Sequence, residues 1–509
     1  MPGDHIDLTT VFRELHPRLQ WVKRVLVRAA ALAVMAAGAL PVAAEADPAG
    51  LTRIITDSFS NSTSPHATAV EPDTFAFGNT LVATAQTGRF FDGGASGIAY
   101  ATTKDGGATW TGGVLPNITS QQLVSSPFER VSDPSVAYDA AHHVWMISSV
   151  PLTPSLQVPK VYVSRSTDGG STFGGPITVA NAPPGSDFDK NWTACDNHPS
   201  SRFYGHCYTT FDDFGHRDRL KVSTSVDGGL TWRPAKDTAN NGAGLGGQPV
   251  VKPGGNVIVP AANPSTTSII AFRSTDGGAT WSAPVHVANS PSHIPAGNLR
   301  ASPLPTAEVD FRGGIYVAWQ DCRFRSGCSS NDIVMSTSTT GTSWTPPKRI
   351  PIGTPADGDD HFIPGIAVKP TTSGSTTRLA LTYYFYANAA CGSACALRIG
   401  YVQSNDGGST WSAPIELAGP FGLNRIANTD QGRMVGDYIS TSWLGNRAFG
   451  AFAVGQPPTN GKAFDEGIFV PTGGLNQTGS LSKSSRAKRV AAPENPGVRA
   501  LHGTPVRRR

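Results

Sequence analysis

One eight-residue pattern, Ser/Thr-x-Asp-Gly-Gly-x-Thr-Trp/Phe, recurs along the chain and constrains its fold more than any other feature. It reads Thr103 to Trp110, Ser166 to Phe173, Ser225 to Trp232, Ser274 to Trp281 and Ser404 to Trp411. A worn copy, Thr337 to Trp344, keeps Gly341 and Trp344 but has Thr339 where the aspartate should stand. The closing aromatics lie 63, 59, 49, 63 and 67 residues apart, a period that belongs to propellers and solenoids. The Gly-Gly pair supplies positive φ without steric cost, as a tight hairpin demands. The aspartate accepts hydrogen bonds from the turn's own N–H groups, with the Ser or Thr hydroxyl assisting. The final aromatic then has a fixed direction in which to pack between neighbouring sheets.

Composition agrees with the repeat. The 509 residues include 56 Gly and 40 Pro, and only 15% are charged, against roughly 25% in an average globular protein. That describes many turns between short strands, and argues against a helical bundle, a coiled coil or a helix-rich α/β enzyme. A hydrophobic content of 39%, with ten Trp and 22 Phe, excludes a wholly disordered chain. Each repeat sits in a unit of four short strands, the first being 74–78, 81–86, 97–103 and 113–117. Further units start near Ser135, Trp192, Pro249, Thr306 and Pro364. A last unit without the pattern uses 437–444, 448–455 and 466–471, and 52–58 supplies its missing strand by pairing the two ends of the chain. The expectation is an all-β fold over 47–472, a seven-bladed β-propeller with six blades as the alternative. Ring closure removes exposed sheet edges.

The ends of the chain differ from this body. Lys23, Arg24 and Arg28 precede an apolar run over 29–40 and small residues over 42–46, the marks of a secretory signal peptide over 1–46. Its apolar run is short for a membrane span. Six cysteines follow as sequential pairs, Cys195 and Cys207, Cys322 and Cys328, Cys391 and Cys395. In an exported protein these suit local disulfides, with zinc a rival only where His198 and His206 adjoin the first pair. The tail over 473–509 is Ser-, Pro- and Arg-rich, and is expected to be disordered and to suit an anionic cell envelope. Its basic groups account for more than the whole formal charge of +4. The body is therefore mildly acidic, a poor platform for nucleic acid.

The repeated pattern is the Asp box, or BNR repeat, and residues 70–415 resemble the sialidase-like BNR-repeat propellers. The resemblance implies boxes on the periphery and a secreted glycoside hydrolase that removes terminal sialic acid or a related exposed sugar. The family holds the substrate carboxylate with three arginines, and uses a Tyr nucleophile paired with a Glu beside an Asp acid/base. The face opposite the boxes receives the segments entering each first strand, 71–73, 130–133, 187–192, 248, 300–303, 359–361 and 432–438. On those positions the resemblance implies Arg130, Arg300 and Arg433 as the clamp, Asp133 as acid/base, Tyr438 as nucleophile and Glu308 as its helper. The family's Arg-Ile-Pro is Arg53-Ile54-Ile55 here, on the closing strand rather than at the centre. No metal cofactor is required. The run Asp357-Gly358-Asp359-Asp360-His361 would suit calcium through its oxygens but lacks EF-hand spacing, and a solvated loop is the plainer reading. The alternative function is a non-catalytic propeller that binds glycan or protein through the same face. The chain has no G-x-S-x-G, P-loop or H-E-x-x-H motif.

Overall fold

Short antiparallel strands make up most of the regular structure in the computed structural model, which describes residues 46–47, 50–459 and 461–476. Nearly all of the expected signal peptide and of the basic tail lies outside the described residues. Four free-standing four-stranded sheets begin at Phe188, Val250, Thr306 and Asp360. A five-stranded sheet starts at Ser440–Leu444 and runs outward through Arg447–Gly455 and Glu466–Pro471 to Leu51–Ile55 and Ala46–Asp47. The N-terminal strand thus completes the C-terminal sheet, with Arg53 opposite Phe469 and bound to Asp465 at 2.8 Å on the outer side. Ala448 pairs with Leu475, so sheet contacts run three residues past 472. The innermost strands follow one another around an axis, and the last, Ser440–Leu444, packs on the first, Ala69–Phe77. This closes a β-propeller.

The expected ring of separate sheets, seven or six, needs correction. The first two units are fused into one eight-stranded sheet, because Ala95 pairs with Val131. Gly94 permits the fusion: with φ at 67°, any Cβ there would stand 2.9 Å from the Cβ of Arg130.

The repeat hairpins do what their chemistry dictates. Asp168 Oδ1 accepts the N–H groups of Ser171 and Thr172, each at 3.0 Å, while its Oδ2 accepts the Thr172 hydroxyl at 2.6 Å. In the worn copy the Thr340 hydroxyl takes over, accepting the N–H groups of Thr342 and Ser343 at 3.2 Å. The aromatics then pack on neighbouring units: Trp110 meets Phe449 of the last sheet with centroids 6.4 Å apart, and Phe173 meets Tyr100 of the first unit at 4.8 Å. Asp168→Ala is expected to cost about 0.5–1.5 kcal/mol in urea unfolding, since it removes turn hydrogen bonds that water can partly replace. Ligand binding on the opposite face should not change.

All six cysteines pair sequentially, Cys195–Cys207, Cys322–Cys328 and Cys391–Cys395. The first pair is therefore not a zinc site, and His198 and His206 instead contact the carbonyls of Val251 and Gly277. Three disulfides suit an oxidising compartment outside the cytosol.

Candidate functional site

Four inner strands carry the same irregularity. In Ala69–Phe77, Arg130–Asp139, Phe188–Cys195 and Asp360–Val368 the pairing slips beside Glu71, Asp133, Lys190 and Ile363. Those residues have φ of 55°, 50°, 49° and 48°, a left-handed conformation that non-glycine side chains seldom adopt. Three are followed by proline, Pro72, Pro134 and Pro364, which the bulge tolerates because no ladder bond is needed there. Bulges re-aim side chains beside functional sites. Here they gather Glu71, Asp133 and Lys190 into one electrostatic cluster with Arg300 and Asp437. The Glu71 backbone is pinned by Val435, whose carbonyl accepts its N–H at 3.1 Å. Gly436 lets the two segments meet, since a Cβ there would lie 2.7 Å from the Glu71 nitrogen.

Asp437 is the hub. Arg300 grips it through Nε at 2.6 Å and Nη2 at 2.5 Å, and the Lys190 ammonium reaches it at 2.5 Å. Lys190 also lies 3.8 Å from Asp133. Burial alone would raise the Asp437 pKa, yet Arg300 and Lys190 hold it far below the usual carboxylate range. Burial likewise opposes the Lys190 charge, but Asp437, Asp133, Asp189 and Glu71 keep its pKa well above normal. The other carboxyls move the opposite way. Burial, with Asp133 adding to it, pushes Glu71 up to about 8, and Gln86 donates a hydrogen bond to its Oε2. Burial also lifts Asp189 to about 7, with Lys190 opposing and Asp133 assisting the rise. The cluster thus offers an ion triad beside carboxyls that stay protonated near neutral pH.

Below it lies the axial cavity, about 390 Å³. Asp73, Trp192, Glu308 and Tyr438 stand on its wall among apolar residues such as Val250 and Ile366. Tyr438 donates its hydroxyl to the Pro134 carbonyl at 3.0 Å and packs on Trp192 with centroids 5.0 Å apart. Burial, then the charge of Glu71, puts the Tyr438 phenol well above its ordinary pKa. Burial pushes Glu308 up to about 8, with Asp73 contributing, and lifts Asp73 to about 7.

The residues singled out from the sequence divide accordingly. Asp133, Tyr438 and Arg300 share one neighbourhood. Glu308 stands in the axial cavity near Asp73, while the carboxyl that acts most strongly on Tyr438 is Glu71. Arg130 is engaged by Asp92 and Glu129 and stacks over Phe90 at 4.2 Å. Arg433 donates to the Ile426 carbonyl at 3.2 Å, although its backbone carbonyl accepts the Arg300 N–H. Each guanidinium therefore has its own partner. Among the candidate calcium ligands, Asp357 is bound to Arg325 at 2.7 Å and Asp360 holds Asn331 and His293. No group of three His, Cys, Asp or Glu among the described residues is arranged around a common metal position. Sequence reasoning placed Glu71, Lys190 and Asp437 in segments entering the site face but gave none of them a role. The available signal was positional: Glu-Pro and Asp-Pro fall at the same point of successive units.

No family model and no curated protein matches the chain. Among solved structures it is similar to the NanB sialidase of Streptococcus pneumoniae, at 14% identity over 83% of this chain and 70% of that one, with a TM-score of 0.43. It is also similar to a PL25 ulvan lyase bound to -[GlcA(1-4)Rha3S]-, at 12% identity, 82% and 94% coverage and a TM-score of 0.46. A protein of unknown function from Dyadobacter fermentans is similar at 15% identity, 70% and 99% coverage and a TM-score of 0.41.

Proposed function

We propose that this is a secreted glycan-acting enzyme, a glycosidase of the sialidase type whose chemistry takes place where the axial cavity meets the Arg300–Asp437–Lys190 triad. One observation carries the reading: bulges at equivalent points of different units bring Glu71, Asp133 and Lys190 to the spot where Arg300 and the Tyr438 phenol also stand. Arg300 spends Nε and Nη2 on Asp437, and its remaining N–H groups stay available to a substrate carboxylate. Lys190 adds positive charge from the other side, and Arg130 and Arg433 would complete the clamp by leaving their present partners. In the reaction Tyr438 attacks the anomeric carbon and its proton passes to Asp133. The bond to the leaving oxygen breaks, and that oxygen takes the Glu71 proton. Water then attacks the anomeric carbon, giving one proton to Glu71 as its oxygen joins the sugar, while the bond to Tyr438 breaks and Tyr438 regains its proton from Asp133. Glu308, lower in the cavity, tunes the site through Asp73. We count the fused sheet as two blades, which makes seven blades around the axis.

Aryl glycosides, sialosides included, test this directly. Tyr438→Phe and Glu71→Gln are each expected to lower turnover at least 100-fold without unfolding the protein, as loss of a nucleophile or a general acid does. The second reading is a non-catalytic propeller binding glycan or protein, favoured by Asp437 already engaging both cations. Absence of turnover on every glycoside, from a folded protein that still binds oligosaccharide, would select it.

A further inference from the structure

The second large cavity, about 910 Å³, opens outward from Arg300. Its walls are the 265–268 turn, the 289–303 linker and Gln431 at the tip of the 427–434 hairpin. All three lie opposite the repeat hairpins, on the face that holds the ion triad. Arg300 therefore serves both places, with one edge of its guanidinium on Asp437 and its side chain also lining the groove.

The lining has a definite chemistry. It contains no aspartate, glutamate, lysine, phenylalanine, tyrosine or tryptophan, and Ser, Thr, Asn and Gln make up more than half of it, with Arg300 and His293. Ser290 is 2% exposed, and its hydroxyl has no hydrogen-bond partner, a state that costs free energy unless something fills it. His293 has Nδ1 on the Asp360 carboxylate at 3.1 Å, and Asp360 is itself fixed by the Asn331 N–H at 2.8 Å. The ring is thus oriented, with Nε2 as its other polar atom. A cationic ligand would find no counter-charge here. A ligand dense in hydroxyl groups would find donors and acceptors throughout.

We propose that this groove is a subsite for the saccharide units adjoining the one held at the triad, so that the substrate is an oligosaccharide or longer glycan chain. The proposal rests on the glycosidase reading and adds the direction in which the chain leaves the centre, across Arg300 toward Ser290 and Gln431.

The test compares two sialosides, the trisaccharide 3′-sialyllactose and an aryl sialoside whose leaving group is too short to follow the groove. Gln431→Trp and Ser302→Trp place bulk at exposed rim positions, and melting curves check that both variants fold. The ratio of the trisaccharide KM to the aryl sialoside KM is expected to rise at least tenfold in each variant. Turnover of both compounds with that ratio unmoved in both variants overturns the subsite alone. Turnover of neither compound by the folded wild-type protein removes the sialidase reading and the subsite with it.

Discussion

Between pH 5 and pH 8.5 the folded protein is expected to lose stability steeply, and Glu308→Gln to remove part of that slope. The cause is a set of buried carboxyls that keep their protons in the fold. Burial holds Glu308 and Glu71 at about 8, and Asp73 and Asp189 at about 7. In the unfolded chain all four ionise near pH 4. The folded state then binds more protons than the unfolded one, so stability falls as pH rises through this window. Each such group contributes a slope of at most about 1.4 kcal/mol per pH unit. For Glu308 the total is on the order of a few kcal/mol, moderated by the water that reaches the cavity wall. Asp437 works in the other direction: its depressed pKa contributes stability that is present above pH 4 and lost in acid. The optimum should therefore fall near pH 5. Urea midpoints at half-unit steps of pH check this, and a flat profile from pH 5 to 8 would show that these carboxyls are ionised in the fold.

How far the sequence announced this molecule depends on whether the determining interactions are local. The hairpins were legible because the bonds of Asp168 lie within four residues of it. The disulfides were legible because each joins neighbours in sequence. The closing strand Leu51–Ile55 was legible too, since a ring with one strand missing has one place for a spare one. Fusion of the first two units was not, because it depends on Gly94 approaching Arg130 across a turn that no periodicity marks. The site is harder still. Lys190 and Asp437 stand 247 positions apart in the chain, and Arg300 and Asp437 stand 137 apart. Composition and spacing carry no trace of such pairs. The sequence did mark the strand ends at which Asp133, Arg300 and Tyr438 come into one neighbourhood. It left open which of the charges there would bind each other, and Arg130 and Arg433 took partners of their own.

Asp437→Asn is expected to cost about 3–5 kcal/mol, because it leaves Arg300 and Lys190 buried with half their counter-charge gone. The loss should be smaller when Lys190→Met is present as well, since the double variant has one cation fewer to satisfy. The shared carboxylate makes the two changes non-additive by roughly 0.5–3 kcal/mol in a double-mutant cycle. The same substitution has a second consequence that a purely local contact would not produce. Asp437 helps to keep Glu71 protonated, while Lys190 and Arg300 draw its pKa down. With Asp437 neutral, the two cations are opposed only by burial and the Asp133 charge, and the Glu71 pKa should fall below about 8. Glu71 then shares the counter-ion role with Asp133 and is a weaker store of its proton at neutral pH. Turnover in Asp437→Asn should therefore keep an acidic limb and lose activity on the alkaline side at a lower pH than the wild type. Carboxyl titration by NMR reads the Glu71 shift directly. An unmoved Glu71 together with a stability loss below about 1 kcal/mol would mean that Asp437 is an ordinary surface ion-pair partner and that the cluster does not act as a unit.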